Sequence, residues 1–130
     1  MPDSAPPVLL YVEDEILIQR GVVTCLEEAG FKVLVADSGE QALQMLGARG
    51  SELRGLVTDV NLGEGADGWE VARAARKQIS GLPVVYVSAA SDQEWTSQGV
   101  PGSIMITKPF AAAQLIVAIS SLLVASDVSV

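Results

Sequence analysis

Short apolar runs alternate with amphipathic stretches five times along the chain. The first run, Val8-Leu9-Leu10-Tyr11-Val12, stops at three consecutive acids, Glu13-Asp14-Glu15. Ile16, Val22, Val23, Leu26 and Ala29 then recur at roughly helical spacing, with Gly30 after them as a stop. A second run, Lys32-Val33-Leu34-Val35-Ala36, precedes Ser38-Gly39-Glu40-Gln41, whose S-x-x-Q form is that of a capping box opening a helix to about Ala48. The third, Leu56-Val57-Thr58-Asp59-Val60-Asn61-Leu62-Gly63, meets a carboxylate and breaks into a glycine-rich loop. Asp67-Gly68-Trp69-Glu70 repeats the capping pattern and opens a helix through roughly Gln78. Pro83-Val84-Val85-Tyr86-Val87-Ser88 is the fourth run and ends in a hydroxyl. Asp92 to Gln98 suffices for two helical turns before Gly99, Pro101 and Gly102 end them. Ser103-Ile104-Met105-Ile106-Thr107 is the fifth run, ending at Lys108-Pro109-Phe110, and a last helix spans Ala112 to about Ala125.

Continuous apolar runs of this length read as strands buried on both faces. Their alternation with helices predicts an α/β fold, a doubly wound five-stranded parallel sheet with helices on both faces and right-handed crossovers. All the carboxyl ends of such a sheet point one way. Asp14, Asp59, Ser88 and Lys108 each stand at or just after the end of a different strand. One fold-level inference therefore gathers four polar residues onto the edge where open α/β sheets place their chemistry. Taken alone, Asp59 reads equally well as a turn residue.

Composition removes several function classes. The formal charge of −8 disfavours nucleic acid and anionic membrane as partners, because both demand neutralising positive charge. No histidine occurs, so neither a Ser-His-Asp nor a Cys-His arrangement exists, and the chain cannot carry its own phosphohistidine. No GxxxxGK[ST] loop or GxGxxG fingerprint supports nucleotide binding. Cys25 is the single cysteine; it forms no internal disulfide, suits a reducing, cytoplasmic setting and is expected in the core. The 130 residues fit one domain over 8–125, with a flexible lead-in over 1–7 and a short tail over 126–130.

Carboxylates held together repel, and a dry site raises their pKa unless a cation is present. Magnesium answers this, since it prefers oxygen ligands and takes one or two carboxylates together with waters and phosphate oxygens. Asp14 and Asp59 suit direct ligation, and Glu13 suits contact through water. Beside a metal, Asp59 gains a second role as nucleophile toward a phosphoryl group, with Lys108 as cation and Ser88 as hydroxyl donor.

This constellation resembles the receiver domain of two-component response regulators, in the single-domain form of the chemotaxis regulator. The resemblance runs from Val8 to Val124. Its carriers are Val12-Glu13-Asp14, Thr58-Asp59, Val87-Ser88-Ala89 and Thr107-Lys108-Pro109-Phe110, each after a different strand. It implies a flavodoxin-like strand order 2-1-3-4-5, with Asp59 as phosphoacceptor. Glu13, Asp14, Asp59 and the Asn61 backbone carbonyl then form the Mg2+ site, Ser88 and Lys108 contact the phosphoryl group, and the Lys108-Pro109 bond is cis. The partner is a histidine kinase or histidine phosphotransfer protein. Four departures stand out. Met105 occupies the usual aromatic position three before the lysine, and the segment from Ser88 to Lys108 is about two residues short. Gly63 replaces a frequent proline, and the loop before Asp67 carries one residue more.

Three other readings use the same acids. A Toprim-type nuclease or primase would pair Glu13 with a D-x-D after a later strand, and a haloacid-dehalogenase-type phosphatase would need a second Asp at position 61, where Asn61 stands. A binding-only pseudo-receiver would ordinarily lose the acids or the lysine. Elsewhere, Trp95 reads as packing or as a substitute moving element, and Arg73, Arg76 and Lys77 read as a solvated face. From Ala111 to Ser126 no residue is charged. Beside a core stripe of Leu115, Ile119 and Leu122, the last helix carries Ile116, Val117, Leu123 and Val124, which predicts a homodimer or partner surface. The run is too short and too polar at Gln114, Ser120 and Ser121 to span a membrane.

Overall fold

The structure, a computed structural model, describes residues 5–89 and 92–128, with the backbone alone at 92, 93, 127 and 128. The first four residues of the expected lead-in, Ala90, Ser91 and the last two residues of the expected tail lie outside the described residues. The apolar runs form strands β1 (Val8–Val12), β2 (Lys32–Ala36), β3 (Leu53–Asp59), β4 (Val84–Ser88) and β5 (Ile104–Thr107). All neighbours pair in parallel in the order β2-β1-β3-β4-β5. Parallel pairing needs a crossover between successive strands, and the amphipathic stretches supply it as α1 (Ile16–Glu28), α2 (Gly39–Arg49), α3 (Gly68–Gln78), α4 (Asp92–Gln98) and α5 (Ala112–Val128).

Strand side chains alternate between faces, so the sheet builds two cores. Leu10, Val12, Leu56, Val84 and Tyr86 pack with Leu46 of α2 and Trp69, Val71 and Ala72 of α3. Leu9, Tyr11, Val57, Val85, Val87 and Ile106 pack on the other face with Val22 and Leu26 of α1 and Leu115 and Ile119 of α5. Each large side chain so buried contributes about 1.5–3 kcal/mol.

Local signals set the helix starts. Asp67 and Glu70 complete a reciprocal capping box on α3, at 2.9 and 3.0 Å. At α2 the box is half made: the Ser38 hydroxyl accepts from the Gln41 N–H, but the Gln41 side chain accepts from the Asp37 N–H instead of closing on Ser38. Gly68 is required where α3 begins, because a Cβ there would sit 2.2 Å from the Asp59 carbonyl oxygen. The Gly68 N–H donates to the Val60 carbonyl at 2.8 Å, tying α3 to the strand end that carries Asp59. Gly63 has φ +76°, a value closed to proline, so this loop takes its own path.

Several sequence expectations are corrected. β3 begins at Leu53, three residues before the expected run, with exposed Arg54 masking its start. α5 continues to Val128, so the boundary expected at 126 falls inside a helix. On α5 Leu115, Ala118, Ile119 and Leu123 are buried, and Leu122 is half-buried and packed against the same core. Cys25 is half-buried rather than core. Arg73 and Lys77 are exposed, as a solvated face requires, while Arg76 is half-buried with its Nε donating to the Leu82 carbonyl at 2.6 Å, and Arg73 also reaches the carbonyl and side chain of Gln98.

Candidate functional site

The β1–β3 register pairs Val12 with Thr58, so Glu13 and Asp59 follow side by side at the carboxyl edge. Oxygens of Glu13, Asp14 and Asp59 lie within 4.8 Å of one another. Glu13 and Asp59 are buried, at 1% and 4% exposure, and Asp14 faces solvent. Lys108, just past β5, crosses to this cluster. Its Nζ donates to Asp59 Oδ2 at 3.0 Å and stands 3.9 Å from Glu13 Oε1. Its own N–H donates to the Ser88 carbonyl at 2.9 Å, which locks the end of β5 to the end of β4. The Lys108-Pro109 bond is cis.

Ser88 ends β4 with a buried side chain. For Asn61 the recorded contact is its N–H, which donates to Asp59 Oδ1 at 3.4 Å. Gln19 of α1 braces the acidic turn, donating from Nε2 to the Glu13 carbonyl at 2.9 Å and to Asp37 Oδ1 at 2.8 Å. Burial raises the Glu13 pKa to about 7; the Glu15 N–H opposes this, and the charges of Asp59 and Asp14 add to it. Burial would lower the Lys108 pKa, but its hydrogen bond to Asp59 and the nearby carboxylates outweigh that, and the net shift is upward.

Three carboxylates around one point, two of them buried and one lysine shared between them, form an oxygen donor set suited to a hard divalent cation. The residues present fit Mg2+. The edge also suits an in-line phosphoryl acceptor, because a nucleophilic carboxylate stands between cation-binding acids and a fixed ammonium.

Comparison with known proteins agrees with this geometry. Residues 9–120 match the response regulator receiver domain. The chain belongs to that family. A response regulator receiver protein from Sinorhizobium medicae is 41% identical, superposes with a TM-score of 0.88, and is covered over 92% of this chain and 96% of its own. The transcriptional regulatory protein CusR of Escherichia coli is 30% identical over 117 residues, 88% of this chain and 50% of CusR. The sensor kinase CckA of Brucella abortus is 29% identical over 95% of this chain and 13% of its own length. The receiver thus spans about half the length of the curated transcriptional regulators it matches.

Two departures from the family pattern have structural counterparts. Met105 is half-buried and pairs across the sheet with Tyr86. Tyr86 packs against Trp69 with ring centroids 4.6 Å apart and accepts a hydrogen bond from the Val100 N–H. Trp95 of the short α4 donates from Nε1 to Ser103 Oγ at 2.9 Å, so it is hydrogen-bonded in place as well as packed. Two features of the receiver escaped the sequence reading. Ile16 and Leu17 open α1 at 48% and 85% exposure beside the acids, signalled only by two adjacent apolar residues where one helical face needs one. Tyr11, read simply as strand core, lies on the same sheet face as Glu13.

Proposed function

We propose that the receiver accepts a phosphoryl group on Asp59 from the phosphohistidine of a histidine kinase or phosphotransfer protein, in a magnesium-dependent reaction. The observation that carries this reading is the contact between Lys108 Nζ and Asp59 Oδ2 inside the Glu13, Asp14 and Asp59 cluster. An Asp59 oxygen attacks phosphorus, the P–N bond of the donor breaks, and the imidazole nitrogen leaves with the electron pair. Lys108 shifts from the carboxylate to a phosphoryl oxygen and offsets its charge, while Ser88 donates its hydroxyl to another. Glu13, Asp14, Asp59 and the Asn61 carbonyl would hold Mg2+, which neutralises charge on the transferring group. The domain occupies 8–125 in this reading, extended by the end of α5.

The phosphodonor's docking site is the apolar groove beside Lys108, about 690 Å³, formed by Leu17, Ile18, Gly21 and Cys25 of α1 with Pro109 and Phe110. A second copy of the chain, or another protein, docks on α5, where Val117 and Val124 are 64% and 62% exposed on a helix uncharged from Ala111 to Ser126. Phosphorylation signals by changing such binding. No helix among the described residues is long and apolar enough to cross a membrane, and a cytoplasmic site of action accords with a kinase partner.

The test is intact mass after incubation with an acyl phosphate and magnesium. One phosphoryl group is expected on the parent and none on Asp59→Asn; labelling of that variant would remove Asp59 as acceptor.

A further inference from the structure

Tyr11 is a fully buried titratable residue that the phosphoryl chemistry leaves unused. Its ring is packed in the core shared with α1 and α5, 1% exposed, and among the described residues its hydroxyl is a buried polar atom with no hydrogen-bond partner. Buried hydroxyls nearly always find one. Tyr11 lies in β1 and Glu13 directly follows its last residue, where the Glu13 N–H still donates to the Ala36 carbonyl at 3.1 Å, so the extended alternation puts both side chains on the same face, Tyr11 one step below the carboxyl edge. Strand side chains lean along the strand, and a phenol spans that step. Glu13, also 1% exposed, is only partly satisfied: Oε2 accepts from the Glu15 N–H at 3.2 Å, and Oε1 faces Lys108 Nζ at 3.9 Å, beyond a hydrogen bond. A carboxylate has about four acceptor positions. An unused donor therefore projects from the same face as an acceptor with vacant capacity, both shielded from solvent.

We propose that Tyr11 is a positioning residue of the acceptor site, whose hydroxyl donates to the Glu13 carboxylate from below and holds it oriented when a divalent cation enters. The proposal rests on the magnesium reading of the acid cluster. Lys108 does not fill this role, because its Nζ donates to Asp59 and stands 3.9 Å from Glu13 Oε1, beyond a hydrogen bond. A merely structural tyrosine would be served as well by phenylalanine, which fills the same space without an unmet hydroxyl.

The experiment compares the parent, Tyr11→Phe, Glu13→Gln and the double variant by thermal unfolding across a magnesium titration. Tyr11→Phe should keep or raise the metal-free melting temperature, raise the magnesium dissociation constant about tenfold, as expected for one hydrogen bond to a charged group, and have no further effect in the Glu13→Gln background. An unchanged dissociation constant with a raised melting temperature would make Tyr11 plain core and overturn the proposal. A parent that ignores magnesium would overturn the metal reading itself, which is a distinct result. If Tyr11→Phe fails to fold, the ultraviolet difference spectrum of Tyr86→Phe decides, since Tyr11 is then the one remaining tyrosine. A magnesium-dependent tyrosine signal supports the hydrogen bond, and its absence refutes it.

Discussion

Glu13 shows how one buried carboxylate links stability to function. Its pKa rises from 4.5 to about 7 in the folded chain, so the folded state binds a proton that the unfolded state has already released. Stability must therefore fall as pH climbs from about 4.5 through 7, since unfolding stability decreases with pH wherever the native state holds more protons. Chemical denaturation without divalent ions should show a lower midpoint at pH 7.5 than at pH 5, and Glu13→Gln should flatten the difference. Lys108 sets the opposite balance, because it neutralises Asp59 at the cost of occupying the proposed acceptor oxygen. Lys108→Ala should leave two buried acids without their counter-charge, slow labelling by an acyl phosphate by at least tenfold, and raise the metal-free pKa of Glu13 further. Rapid labelling of that variant would show that the ammonium has no part in transfer.

Among the elements, α3 and α5 do different work. The start of α3 is pressed against the strand end that carries Asp59, with no space for a side chain at Gly68. Gly68→Ala should destabilise the fold by about 1–3 kcal/mol, the usual penalty of overpacking, and the denaturation midpoint measures it. Because the displaced atoms belong to Asp59 and Val60, the same variant should also slow labelling. α5 covers the core with Leu115, Ile119 and Leu123 and leaves Val117 and Val124 outside. Val117→Glu or Val124→Arg should weaken self-association in sedimentation while the yield of phosphorylated protein stays at the parent level. Unchanged association in both variants would move the signalling surface away from this helix.

At the scale of the whole molecule, the sheet holds the acids of β1 and β3 together against their repulsion, and a cation should relieve that tension. A ligand bound only by the native state adds about 2.7 kcal/mol at 100 times its dissociation constant. Millimolar magnesium should therefore raise the melting temperature by several degrees. Asp14→Ala should abolish the rise, while metal-free stability holds or improves as one negative charge leaves the cluster. A parent melting temperature that ignores magnesium would contradict the site. Toward α4, Tyr86, two residues before Ser88, is hydrogen-bonded to Val100, whose carbonyl accepts from Ser103, which in turn accepts from Trp95.

The sequence by itself determined the alternation of strands and helices and the four strand-end residues Asp14, Asp59, Ser88 and Lys108. Both are local properties: apolar runs and capping residues lie next to one another in the chain, and parallel connectivity sends every strand's carboxyl end to one edge. The tertiary structure alone decided what depends on which element lies opposite. Leu123 is buried more deeply than its neighbour Leu122, which packs on the same core, and Cys25 is half-open because the loop around Pro109 and Phe110 leaves a groove over α1. Arg73 and Arg76 became ties because the end of α4 and the turn before β4 present carbonyls beside them. Tyr11 lies in an unbroken apolar run, and only the folded sheet leaves its hydroxyl buried and, among the described residues, without a partner, on the face that Glu13 also takes.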